Sequence, residues 1–206
     1  MEKMTGRVLA AAALMLVLLA SASFAQQTQT VRIRGQIEKV DGDSIDIKAR
    51  NGELMKVKLV DPQRVTALVK ASLADVKPGS YIGVTAMPQA DGSQKAIAIH
   101  IFMETQRGTA EGHMPWDLQP GSTMTNANVE STVAGVDGQN LTMKYKDGEK
   151  KVIVPANTAI VAYAPGNKDE LKPGAHVFVV RATKQADGSL TTPAINVGRD
   201  GVVPPM

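Results

Sequence analysis

The sequence contains no cysteine. Disulfides, thiolate nucleophiles and cysteine-ligated zinc are therefore excluded. Aromatic residues make up only 3% of the chain, too few for the stacking platforms that bind single-stranded nucleic acid. An excess of one charge is also missing. The net charge is +3, with both signs mixed along the chain, and no basic stripe of the kind nucleic acid demands is present. No apolar run reaches the roughly 20 residues that a membrane-crossing helix needs. There is no G-x-S-x-G elbow, no phosphate loop and no dinucleotide fingerprint. These absences count against a multi-span transporter, a nucleic-acid binder and an enzyme of any familiar motif class.

What is present begins with a targeting signal. Lys3 and Arg7 precede an unbroken apolar run from Val8 to Ala20, followed by Ser23-Phe24-Ala25. A charged segment, a short apolar segment and an A-x-A-like site predict a signal peptide over residues 1–25, cleaved after Ala25. The expected location is the periplasm or outside the cell, with no stable membrane span after cleavage. An exported chain without cysteine suits a bacterial periplasm.

The rest of the chain repeats itself. KPGSYIG (Lys77–Gly83) returns as KPGAHVF (Lys172–Phe178), 95 positions later. QADGS and VDG each return after 96 positions. This period is too long for a solenoid unit and is the size of a small domain. Within each copy, Asp-Gly and Asn-Gly turns separate alternating runs. Ile45 and Ile47 alternate with polar neighbours, as do Met55, Val57 and Leu59, Ile97, Ile99 and Ile101, and Leu141 and Met143. Period-two alternation predicts strands with one buried face. Helical pattern is confined to a turn at Ser72–Asp75 and another at Asn167–Glu170, each stopped by the K-P-G that follows.

The order of these signals is V-D-G, a D-G hairpin, K-P-G after a short turn, then D-G-S. It resembles the bacterial domain of unknown function 5666. That resemblance covers Thr30 to Gly201 in two copies and implies small exported OB-like β domains. Its motifs are turns, so it implies no catalytic residue. Similar chains carry labels as metal-transporter permeases, which a single short apolar run contradicts as a literal description. An accessory role in metal handling is compatible with the resemblance.

The expected fold is all-β: two tandem small OB-like β-barrels of about six strands each, with a sandwich as the competing architecture. The expected boundaries are 1–25 signal peptide, 30–103 first barrel, 104–126 strap, 127–201 second barrel and 202–206 tail. The strap holds the single tryptophan. Trp116, Asp117 and Leu118 are its candidate binding residues, with Trp116 and Leu118 expected to bury against one or both barrels. The second face of the last strand of copy one, Ala96, Ala98, His100 and Phe102, is barely polar and expects a cover. The proline-rich tail is expected to fray.

Soft thioethers and imidazoles favour copper and related transition metals, so His113, Met114 and His100 form the candidate metal set. No other cofactor is indicated. The carboxylates sit mostly in turns, which explains them without catalysis. Lys144, Lys146, Lys150 and Lys151 make a local basic cluster, read as a solvated hairpin or as a contact for an anionic envelope polymer. The functional expectation is a non-catalytic binding or interaction module whose partner is an envelope protein or polymer. The rivals are a metal-handling accessory and an envelope hydrolase.

Overall fold

The computed structural model describes residues 29–135 and 138–206. The signal-peptide expectation and the second V-D-G turn at Val136–Asp137 lie outside the described residues. Among the described residues the fold is all-β, in twelve strands. Before the strap come β1 (Thr30–Asp41), β2 (Ser44–Ala49), β3 (Leu54–Lys70), β4 (Tyr81–Pro88) and β5 (Gln94–Ile101). The strap contains β6 (Gly112–Pro115). After it come β7 (Thr123–Gly135), β8 (Gly138–Tyr145), β9 (Gly148–Pro155), β10 (Ala159–Pro165), β11 (His176–Lys184) and β12 (Leu190–Gly198). Among the described residues, no helix is long and apolar enough to cross a membrane.

The pairing order closes a five-stranded ring from β1, β2, β3, β12 and β11. A second ring closes through β4, β7, β8, β9 and β5. Each ring therefore takes strands from both copies. The expected boundary, with one barrel in 30–103 and the other in 127–201, does not separate them. The two copies are alike enough in pattern that either can supply the last two strands of either ring. β10 bridges the rings, antiparallel to the second half of β3 and parallel to β5. At this seam Leu68 pairs with Tyr163, its own counterpart 95 residues on.

Each ring has a separate aliphatic core. Ile33, Ile37, Ile45, Ile47, Val57 and Leu59 meet Val177, Val179, Leu190, Ile195 and Val197 in the first. Ile82, Val84 and Ile99 meet Val129, Leu141, Met143, Val152 and Val154 in the second. The helical turns sit where expected, at Leu73–Asp75 and Lys168–Glu170. The residue ending each turn joins a ring core: Val76 the second, whose strands all lie beyond it, and Leu171 the first, whose strands lie on both sides of it. Gly79 and Gly174 of the two K-P-G triplets have φ of 86° and 88°, a region that glycine enters without steric cost.

One alternation shifts phase. Ile97 was expected inward with Ile99, but β5 pairs Ala98 with Thr85 and Ala96 with Ala86, leaving Ile97 as an extra residue. The bulge turns Ala96 into the core, because an inserted residue reverses the faces on one side of it. In copy two the equivalent Pro193 also lacks a partner on β3, but the irregularity there is larger, Thr192 pairing with Leu59 and Ala194 with Arg64. A bulge leaves its residue unpaired, so the missing N–H of proline costs nothing there.

A third apolar cluster lies outside both ring cores. Leu68, Met124, Val161, Phe178 and Met206 are buried in it, with Met114, Trp116, Tyr163 and Val202 packed around them. The tail does not fray: Pro204 and Met206 are buried.

Candidate functional site

The strap is ordered, and its geometry starts from a hairpin. β6 pairs with β7, Met114 opposite Met124 and His113 opposite Thr125. The connecting loop is closed by Ser122, whose hydroxyl lies 2.8 Å from the Gln119 carbonyl and 3.1 Å from that of Trp116. This fixes Trp116 and Asp117 at the hairpin end, over the outer face of β1.

There the Arg34 guanidinium meets Asp117 end-on, Nη2 to Oδ1 at 2.7 Å and Nη1 to Oδ2 at 3.4 Å. Arg32 adds a longer contact to Asp117 at 3.5 Å and stacks 4.1 Å above the Trp116 ring. The indole edge meets Phe178 of β11 at 6.5 Å and 83°. Arg34 also lies 4.7 Å over the Phe178 ring. Burial would raise the pKa of Asp117. The hydrogen bond from Arg34 and the charges of Arg34 and Arg32 outweigh it and hold the carboxyl below its ordinary value. Leu118 is half-buried. Trp116 packs as expected, against a cluster that both rings share.

Asp117 is 45% exposed at its side chain. Its pairs therefore contribute little to stability, about 1 kcal/mol or less. Asp117→Asn is expected to lower stability by no more than that while shifting Trp116 emission, because the guanidinium stack loses its anchor. Denaturant melts and tryptophan spectra check both halves.

A cleft of about 370 Å³ opens beside this clamp. Gln36, Lys48, Arg50 and His176 line it with Val203 and Pro204, and no carboxylate does. The Arg50 Nη2 donates to the Pro204 carbonyl at 2.7 Å. Among the described residues, no Asp or Glu lies within 4 Å of that guanidinium. Burial, then the like charge of Arg34, draws Arg50 below its ordinary pKa, yet an arginine stays cationic. Asp117 thus serves two cations, Arg32 and Arg34, and neither Lys48 nor Arg50 of the cleft.

The candidate metal set is not brought together. Paired strand residues share a face, and successive residues alternate. His113 lies on the face of Thr125, its Nδ1 2.8 Å from Thr125 Oγ1. Met114 lies on the opposite face, with Met124 in the inter-ring cluster. His100 shares the row of Gly83 and Asn126, on that same opposite face. Its ring packs edge-on against Phe102 and Tyr163 at 4.8 Å and 5.5 Å. Thus the barely polar strand face does acquire a cover, which includes Tyr163 from β10. Among the described residues no cluster of three or more His, Cys, Asp or Glu could hold a metal ion. Burial, then the charge of Lys150, lowers the His113 pKa. In the basic hairpin, Lys144 reaches Glu130 at 3.4 Å, and Lys144, Lys146 and Lys151 are exposed.

Sequence reasoning missed Arg32, Arg34, Arg50 and Phe178. The first two were legible as an i, i+2 pair on one strand face. Phe178 stands where the other copy has Gly83, a difference visible in the K-P-G alignment.

The molecule is thus an all-β protein of closed five-stranded rings, with a cationic cleft and an aromatic clamp on one ring. Comparison with family models, curated proteins and solved structures finds no match.

Proposed function

We propose that this chain is an exported, non-catalytic binding module, built on two interlocked OB-like barrels, that holds an anionic group of an envelope polymer or protein. The OB-like reading rests on strand order. The first ring runs first, second, third, fifth, fourth and back to the first in chain order, with a helical turn just before its fourth strand; the second ring gives the same order once β4 and β5 are counted after β7, β8 and β9, as their repeat equivalents are. Such barrels commonly present binding surfaces for extended polymers. The observation that carries the functional reading is the cleft, which collects Lys48, Arg50 and His176 without a facing carboxylate. An accessible guanidinium with unused donors is suited to a carboxylate or phosphate, which it can grip in bidentate fashion.

The carboxylates favour binding over hydrolysis. A general acid needs a raised pKa near the working pH. Here the shifted carboxylates move the other way, each held by a local donor. Asp75 is held by Ser72, Asp91 by Ser93, Asp187 by Ser189, Glu104 by Arg107 and Glu170 by Arg199.

The test uses fluorescently labelled polyglutamate and polyphosphate at low salt, with binding read by anisotropy. Arg50→Ala combined with Lys48→Ala is expected to weaken binding at least tenfold, and added salt to weaken the parent. Lys144→Ala combined with Lys151→Ala should leave affinity within twofold. Equal loss from both pairs, or no binding by the parent, overturns the cleft assignment.

A further inference from the structure

We infer that the groove bounded by Trp116, Phe178, Arg34 and Arg50 is a docking site for an extended, proline-containing apolar segment of a partner protein, which the chain's own Val202–Met206 fills in cis. Three features of the occupant define what the groove recognises. First, the segment is extended: Val202 has φ −59° and ψ 127°, the conformation of a polyproline helix. Second, its residues alternate, with Pro204 and Met206 buried and Val203 50% exposed. Third, its carbonyls are read by arginines. Arg50 donates to Pro204 at 2.7 Å and the Arg34 Nε donates to Met206 at 2.7 Å. Aromatic-walled grooves that hold a preformed extended segment are a recurring peptide-recognition mode.

One further observation marks the groove as more than a resting place for the tail. The Trp116 Nε1 is buried and has no acceptor. The cis segment thus leaves one donor unspent, and an occupant whose carbonyl reaches it gains what the tail does not supply. The tail is also joined through a tight turn, Arg199–Gly201, in which Asp200 adopts φ 53°. Aspartate tolerates left-handed backbone better than most residues with a side chain, so this turn seats the tail at small local cost. A short tether gives the tail an effective concentration in the millimolar range. A partner segment must therefore bind better than the tail or arrive when the tail is displaced.

Gly198 offers a way to displace it. A Cβ at this position would lie 1.7 Å from the Val202 carbonyl oxygen, whereas the backbone at φ −74° accepts alanine. Gly198→Ala therefore drives the tail out while leaving the groove side chains unchanged. Met206→Asp is the second variant. It places a charge in the apolar cluster from the tail side and leaves Gly198 and its turn intact.

The experiment titrates the full chain with the amidated peptide Val-Val-Pro-Pro-Met. The cleft shares Arg50, Val203 and Pro204 with the groove, and the amide keeps the peptide from acting as an anion there, so a response reads groove occupancy and can fail while anion binding by the parent stands. Trp116, the sole tryptophan in the sequence, reports by its emission. Both variants are expected to respond saturably at peptide concentrations at least tenfold below those the parent needs. Val-Val-Ala-Ala-Met should give no response. Folded variants, checked by circular dichroism and hydrodynamic size, that ignore the peptide would overturn the proposal. So would equal responses in parent and variants, or equal binding of the alanine peptide. Variants that instead dimerise by exchanging tails would show the groove to be a self-association site, which also overturns it.

Discussion

A chain cut once in the strap, at a protease site inserted after Gly108, is expected to stay in one piece in solution. Six strand pairings cross from residues before the cut to residues after it: β1 with β11, β3 with β12, β3 with β10, β5 with β10, β4 with β7 and β5 with β9. Both cores are shared almost evenly. Six of the thirteen buried residues in the first core precede the strap, and six of thirteen in the second. Each fully buried aliphatic side chain is worth roughly 1.5–3 kcal/mol on burial. Pulling the halves apart would open both cores at once, as if an obligate dimer were split. The nicked protein should elute at the parent's volume in size exclusion and separate only in denaturant. Either half made alone should lack a cooperative melt. Two halves that elute apart, each with a native β spectrum, would mean two independent barrels and would refute the interlocked pairing.

That interlocking shows where sequence reading stops. The strands themselves were legible. Ile45, Ile47, Val57 and Leu59 face inward as their alternation requires, as do Leu141 and Met143. The turns were legible too, since Gly42 and Gly92 take φ of 60° and 83° in the expected Asp-Gly pairs. Partner choice was not. Duplicated copies present near-equivalent apolar faces, so alternation cannot say which copy closes which ring. That choice is made by geometry that no local pattern carries: β3 runs on to Lys70 and pairs with β10 across the repeat axis. The bulge at Ile97 hid for a related reason. A run of alternating Ala and Ile reads equally well in either phase, and no residue in it marks the break.

The site was half legible. Trp116 in a long connection was a sound signal for an ordered strap. The residues it packs on come from β1 and β11, far away in sequence, and nothing near Trp116 points to them. The tail misled because proline-rich composition describes a segment's own preference. It says nothing of Arg34 and Arg50, more than 150 positions earlier, waiting with donors for its carbonyls. His113 and Met114 misled because adjacency in a strand sends side chains to opposite faces.

His100 is expected to set the acid limit of this fold. The ring is 4% exposed and sits among Phe102, Tyr163 and Asn126, directly over Gly83, where a Cβ would fall 2.0 Å from Nε2. Its Nδ1 is buried without a partner. Burial pushes its pKa down to about 3, from an ordinary 6.5. The unfolded chain therefore takes up a proton near pH 6.5 that the native state refuses until about pH 3. Stability rises with pH wherever the unfolded state binds more protons, so it must fall as pH drops below about 6.5. The slope approaches about 1.4 kcal/mol per pH unit at most, and levels off only near the native value. His100→Phe keeps an aromatic ring in the cluster and removes both nitrogens. Its stability should fall less steeply from pH 7 to pH 5, the remaining fall including that of His113, whose native pKa is also lowered; that part is common to both proteins, so their difference should change by about 1 kcal/mol per unit. Glu170 and Asp117, whose pKa values are lowered in the native state, act at lower pH. Their contribution is present above the unfolded carboxyl values and lost as pH falls through the native ones. Both proteins share that loss, so it cancels in the difference. Urea melts at several pH values measure the gap directly. Parallel curves would show that the imidazole ionises in the folded state as freely as in water, and the buried aromatic cluster would then not be the water-excluding layer that its packing describes.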